Sequence, residues 1–208
     1  MDQQAQTRAY FRQVADDWQS KATLSGHGYN LIASRNAAAL AAVDLVPAAR
    51  RFLDVGCGTG QLVIEAARCG LEAEGIDFAE SMVEQCERNR AEAGVAARFH
   101  AGSFFDAAFD AGSYDVVSGQ GLIEYFPIEM VDTFLARAHA LLRPGGVLAV
   151  GSRNRLFNLV TLNGFTELEL ALGTHPALLA EAMALMACST QAEALAALAG
   201  HARRDPHP

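Results

Sequence analysis

The chain predicts an α/β fold built on a doubly wound, mostly parallel sheet, and three features carry that expectation. Strand-like apolar runs near residues 51–55, 72–76, 96–100, 114–118 and 146–151 alternate with helix-like stretches near 60–69, 79–93 and 127–142. Alternation of this kind, closed by right-handed crossovers, gives a parallel sheet with helices on both faces. The first strand-like run also opens directly into a three-glycine turn, Gly56, Gly58 and Gly60, and an amphipathic helix pattern follows at once. Finally, 208 residues with 51% hydrophobic and 19% charged content suffice for one sizeable core and exclude a disordered composition.

Taken in order, residues 3–21 place Tyr10, Phe11, Val14 and Trp18 at helical spacing, which predicts an amphipathic helix. A second helix is expected over 29–45, ending before Pro47. Together, residues 1–48 read as an N-terminal helical lid or cap on a core spanning 49–152. Within that core Pro127 is expected in the first turn of a helix whose apolar stripe is Ile128, Val131, Phe134, Leu135, Ala138, Leu141 and Leu142. Pro144-Gly145-Gly146 then reads as a stop that turns the chain into the fifth strand.

From 153 to 208 no strand run is evident, so a helical C-terminal segment is expected, shortened or lacking final antiparallel strands. Thr166 with Glu169 and Thr190 with Glu193 fit capping boxes, and Pro176 suits a first helical turn. The Ala- and Leu-rich stretch 177–199 is interrupted by Glu181, Ser189, Thr190, Gln191 and Glu193 and reads as soluble helix rather than membrane span. An uncovered fifth strand invites pairing. The expectation is therefore that the C-terminal helices cover it, or that edge or helices form a homodimer contact.

The glycine spacing is G-x-G-x-G, and Gln61 stands where a dinucleotide fingerprint places its last glycine, which disfavours a nicotinamide oxidoreductase. Glycine here permits a sharp turn and lets a ligand approach main-chain N–H groups at a helix mouth. Asp54 to Gly60 resembles the first motif of the class I S-adenosylmethionine-dependent methyltransferases. Further matches follow in order: Glu72 to Ile76 ending at Asp77, then Phe78 and Met82, then Tyr114 to Ser118, then Leu141 to Leu148. The resemblance implies a Rossmann-like fold, S-adenosyl-L-methionine as cofactor and S-adenosyl-L-homocysteine as product. It implies that Gly56, Cys57, Gly58, Gly60 and Gln61 border the methionine part and that Asp77 accepts from the ribose hydroxyls. Phe78, Met82, Gly102, Ser103 and Phe104 would lie by the adenine, and Ser118, Gly119 and Gln120 at the amino-acid end. Asp54 would orient the turn and favour a cationic ligand. Locally, Asp77 with Glu80 also fits a capping box, and Phe104 also reads as a core aromatic.

Methyl transfer from a sulfonium is an in-line displacement for which the cofactor brings the electrophile, so alignment is the main protein task. An oxygen or carbon acceptor more often needs a base. Glu124 and Tyr125, following the fourth strand, are the candidates, with a solvated or helix-entry position as the plainer reading. His27, between Gly26 and Gly28, is a third candidate, and Tyr10, Trp18, His27 and Tyr29 would form a lid, or simply pack. Arg153, Asn154 and Arg155 are candidates for an anionic acceptor or a solvated loop; Phe157, Leu159, Val160, Leu162 and Phe165 would line an acceptor pocket or pack under helices.

With 24 acidic against 16 basic residues the net charge is -8, which disfavours nucleic acid as a substrate. The four cysteines include no C-x-x-C pair and no metal-ligand spacing is present, so neither a disulfide nor a metal is expected. The N-terminus lacks a secretory signal pattern, and the default location is cytoplasmic with no membrane partner. The expected function is methyl transfer to a small-molecule acceptor at oxygen, nitrogen or carbon. The alternative is a methyltransferase-like domain that binds cofactor or a partner without catalysis.

Overall fold

The computed structural model describes residues 31–152, 164–190, 192–193 and 196–197. The helix expected over 3–21, with Tyr10, Trp18, His27 and Tyr29, lies outside them, as do Arg153, Asn154 and Arg155. The chain forms two compact units, Met1–Ser152 and Arg153–Pro208, each described by itself.

In the first unit, helix α1 (Leu31–Ala41) and a 3-10 turn (Ala42–Leu45) lead into β1 (Arg51–Val55). Then follow α2 (Gln61–Arg68), β2 (Glu72–Asp77), α3 (Glu80–Ala93), β3 (Ala97–Ala101), β4 (Tyr114–Gln120), a 3-10 turn (Ile123–Tyr125), α4 (Ile128–Leu141) and β5 (Leu142–Gly151). The five strands make one sheet in the order β3-β2-β1-β4-β5, parallel throughout. Each expected strand is present. β1 is central because both of its faces are buried: Phe52 packs on one side with Leu62, Val63, Ala66 and Ala73, while Leu53 and Val55 pack on the other with Ile76, Val117 and Phe134. The order reverses between β1 and β4, and it is at such a switch point that open parallel sheets bind ligands.

Two local readings are corrected. The helix at Pro127 begins one residue later, with Pro127 preceding it, and Leu135 is 40% exposed while Phe134, Ala138 and Leu141 carry the burial. Pro144-Gly145-Gly146 does not separate helix from strand. α4 ends at Leu141, β5 starts at Leu142, and pairing with β4 jumps from Tyr114–Leu142 to Val116–Val147. The three residues are accommodated as an irregularity within β5, with Gly145 at φ 81°.

The second unit holds α5 (Gly164–Ala171) and α6 (His175–Met186), and no strand among its described residues. Pro176 falls in the first turn of α6 as expected. The Thr190 and Glu193 box is formed: the Ser189 and Thr190 N–H groups donate to Glu193 Oε2, and the Glu193 N–H donates to Thr190 Oγ1 at 3.2 Å. The Thr166 and Glu169 box is not, because α5 begins at Gly164 and places Thr166 inside the helix. No described helix is long and apolar enough to cross a membrane.

Candidate functional site

The turn from β1 to α2 is set from both sides. Gly60 lies at φ 85°, a left-handed conformation that favours glycine, and a Cβ there would sit 2.9 Å from the Phe99 ring. Four of the turn's N–H groups are already donated within the protein: Gly56 and Cys57 to the Ile76 carbonyl, Gly58 to Asp77 Oδ2, and Gly60 to the Cys57 carbonyl. The expectation that a ligand would meet these main-chain N–H groups is therefore corrected. Here the glycines allow curvature and close approach; the nest of free N–H groups that cradles a phosphate is lacking at these four positions.

Two residues from α3 hold the turn's carbonyls. Cys86 Sγ donates to Gly58 O at 3.1 Å, and Asn89 Nδ2 donates to Thr59 O at 2.8 Å. With Met82 they form the buried side of α3, spaced four and three residues apart. That spacing was the only available signal, and it reads as ordinary helix core. Cys57 and Cys86 place their sulfurs 4.0 Å apart, and this contact together with burial pushes the Cys57 thiol pKa well up. Thr59 Oγ1 donates to Gln61 Oε1, fixing the half-buried Gln61 at the head of α2.

Asp77 closes β2. Its Oδ2 accepts from Gly58 N at 3.0 Å and its Oδ1 from Ala79 N at 2.9 Å, and Phe78 N contributes a further bond. Ala79, not Asp77, occupies the residue before α3, so the carboxylate ties the strand end to the glycine turn rather than acting as the helix cap. Burial raises its pKa to about 6 against these three donors. Asp54, opposite Ser118 across β1 and β4, is raised further, to about 7: burial dominates, the Ser118 hydrogen bond opposes it, and the charge of Asp77 adds to it. Its Oδ1 is buried with no hydrogen-bond partner. An orphaned carboxylate oxygen beside a ligand turn is what a cationic or N–H donor ligand would satisfy.

At the end of β4, Ser118 and Gly119 are buried and Gln120 is half-buried, its Nε2 donating to Ala149 O and Ser118 Oγ. Arg35, on α1, was not singled out from the sequence. Its guanidinium lies over the end of β4, so close that a Cβ on Gly121 would stand 3.1 Å from Arg35 Cζ, and its Nε is buried without a partner. Nothing local marks this arginine; only the docking of α1 on the sheet brings it there.

Of the residues expected by the adenine, Phe78 is half-buried, as are Gly102 and Ser103. Met82 is 1% exposed and Phe104 5%, so both side chains belong to the core and present little surface to a ligand. For these two the side-chain role in packing adenine is corrected, leaving the Phe104 main chain at the site's edge. Glu124 and Tyr125 are half-buried in the 3-10 turn after β4. His27 lies outside the described residues.

An open parallel sheet with a glycine turn and an acidic residue at the ends of β1 and β2 defines a nucleoside-binding class of α/β protein. The methyltransferase-domain family model matches residues 52–146, so the α/β segment is similar to that family. The chain is similar to ubiquinone biosynthesis O-methyltransferases: 40% identical over 113 residues to that of Xanthomonas axonopodis pv. citri, covering 53% of this chain and 46% of the relative. The Mesorhizobium japonicum protein is 32% identical over 112 residues, covering 54% and 44%. The chain thus spans about half the length of the curated relatives it matches. Among solved structures, magnesium protoporphyrin IX methyltransferase from Synechocystis with bound S-adenosylhomocysteine shares the fold at TM-score 0.55 and 20% identity, over 68% of each chain. A [4+2]-cyclase shares it at TM-score 0.58 and 20% identity, over 70% of this chain and 58% of the other.

Proposed function

We propose that the protein transfers a methyl group from S-adenosylmethionine to a small-molecule acceptor. The observation that carries this reading is the pair of buried acids, Asp54 and Asp77, at a glycine turn with four N–H groups already used internally. Such a site offers negative charge and acceptors, which suits a sulfonium, an amino group and ribose hydroxyls, and it lacks those four donors for a pyrophosphate. Asp77 would accept from the ribose hydroxyls. Asp54 would face the cationic end, and Arg35 would take the carboxylate. Phe78, Ser103 and the 102–104 main chain would border the purine. When bound, the cofactor supplies the electrophilic methyl; the chain's residues hold it in line and exclude water.

The similarity to ubiquinone O-methyltransferases supports a phenolic oxygen as the acceptor atom. Glu124 and Tyr125 would serve there as base and orienter. A small acceptor rather than nucleic acid agrees with the net charge of -8. We further place the protein in the cytoplasm and propose that β5, one of the two outer strands of the sheet, takes part in a homodimer, which sedimentation would reveal as a mass twice that of the chain.

The test is transfer of labelled methyl from S-adenosylmethionine to a panel of catechols and prenylated phenols. Labelled methyl ether is expected, with kcat reduced at least about tenfold in Glu124→Gln and KM for the cofactor unchanged. Cofactor binding with no transfer to any phenol, amine or carbon acid would instead establish a binding domain. The [4+2]-cyclase on the same fold illustrates why fold alone does not decide this.

A further inference from the structure

From the end of β3 the chain passes over β2 and β1 to reach β4, and residues 102–113 make this crossing without a helix. Parallel crossovers usually contain one, which satisfies their own carbonyls. Here the carbonyls must be satisfied one at a time. Ser103 O accepts from the Asp106 and Ala107 N–H groups in a local turn. The Phe104 carbonyl has no such local donor, the Ala107 carbonyl accepts from the Phe109 N–H at 3.2 Å, and both are served by one side chain, Arg137 of α4. Its Nε donates to Phe104 O at 2.7 Å and its Nη2 to Ala107 O.

The same guanidinium lies 5.3 Å from the centroid of the Phe104 ring. That ring is locked from beneath in a closed quartet of aromatics: Phe104 to Phe105 at 5.8 Å, Phe105 to Phe126 at 5.6 Å, Phe126 to Phe134 at 5.9 Å and Phe134 back to Phe104 at 5.7 Å. The residues just before it are fixed from the other side, since Gly102 N donates to the Asp77 carbonyl at 2.9 Å. The three-residue segment 102–104 is therefore held at one end by the acid-bearing residue of β2 and at the other by Arg137.

We propose that Arg137 is a positioning residue for the purine subsite, setting the main chain of 102–104 through its two-pronged bond to the crossover. The inference rests on the reading of this segment as the adenine border. Arg137 does not touch the cofactor; it acts through Phe104 and Ala107. Only arginine fits the role, because two donors of fixed relative geometry reach two carbonyls while its plane covers the ring. A lysine supplies a single point of donation.

The experiment compares the affinity of the whole chain for S-adenosylhomocysteine and for S-inosylhomocysteine, which differs only at the purine edge, in the native protein, Arg137→Lys and Arg137→Gln. Melting temperatures are recorded alongside. The native protein is expected to prefer the adenosyl ligand. Arg137→Gln weakens it about tenfold, the effect of one displaced polar contact, while the inosyl ligand loses less and the ratio falls toward one. Arg137→Lys lies between. The ratio is independent of the folded fraction, so a lowered melting temperature with an unchanged ratio assigns Arg137 to stability alone and overturns the proposal. Should Arg137→Gln not fold, Arg137→Lys is judged by the same ratio. If the native protein binds neither ligand, the reading of the site itself falls and the proposal with it; native binding with an unaltered ratio in the variants removes only the proposal.

Discussion

Asp54 and Asp77 are two carboxylates from adjacent strands kept out of water at one turn, and their titration sets how the site behaves. Both are raised above the ordinary aspartate value, to about 7 and about 6, chiefly by burial. A carboxyl raised in the folded state contributes stability that is present below its unfolded pKa near 4 and is lost as pH rises through the folded value. The ligand-free protein therefore loses stability from these groups between about pH 4 and 7. A cationic ligand prefers both acids ionised, so affinity for S-adenosylmethionine is expected to rise from pH 5 to 8. Asp54→Asn should raise the ligand-free melting temperature at pH 8, weaken binding about tenfold, and flatten the upper part of this pH dependence. Calorimetry across that range checks it; a pH-independent affinity in the native protein would remove Asp54 from the charge role. Asp54, Asp77 and the glycines were legible in the sequence because each stands in a contiguous strand-turn pattern. Arg35, Cys86 and Asn89 were not, since their roles arise only when α1 and α3 dock against strands distant in sequence.

At the scale of elements, β2 carries a second buried acid with the opposite behaviour. Glu74, 4% exposed, accepts from Arg51 of β1, Arg98 and His100 of β3 and Tyr114 of β4, so one carboxylate ties β2 to three of the four other strands. Burial raises its pKa, but the bonds from Arg98, His100 and Arg51 outweigh it and bring the value down to about 2. Its stability contribution is then present above about pH 4.5 and lost as pH falls toward 2. Replacing it by glutamine leaves two arginines without their carboxylate and should cost roughly 2 kcal/mol at neutral pH. Urea unfolding at pH 7 and pH 3 tests this: the difference between Glu74→Gln and native should shrink at the lower pH. An equal difference at both would mean the ion pairs contribute nothing. In the sequence Glu74 is simply one residue of the strand-like run 72–76. Its partners lie on three other strands, and register across a sheet is not written in any one of them. The Pro144-Gly145-Gly146 segment was misread for a related reason, because a turn-forming triplet is equally served by an irregularity inside a paired strand.

For the whole molecule, alternation of apolar runs was sufficient to predict an open parallel sheet, and β1 to β5 lie where that alternation put them. The strand order places Asp54, Asp77, the 102–104 segment and Ser118 at adjoining strand ends, where we propose that they form one cofactor site. The decisive measurement is calorimetric titration of the native chain and Asp77→Ala with S-adenosylhomocysteine, with NAD as the comparison ligand. One site per chain is expected for S-adenosylhomocysteine, with affinity reduced roughly 100-fold in Asp77→Ala through loss of two charge-assisted hydrogen bonds, and no heat with NAD. Binding of NAD, or binding of S-adenosylhomocysteine that is indifferent to Asp77, would contradict it.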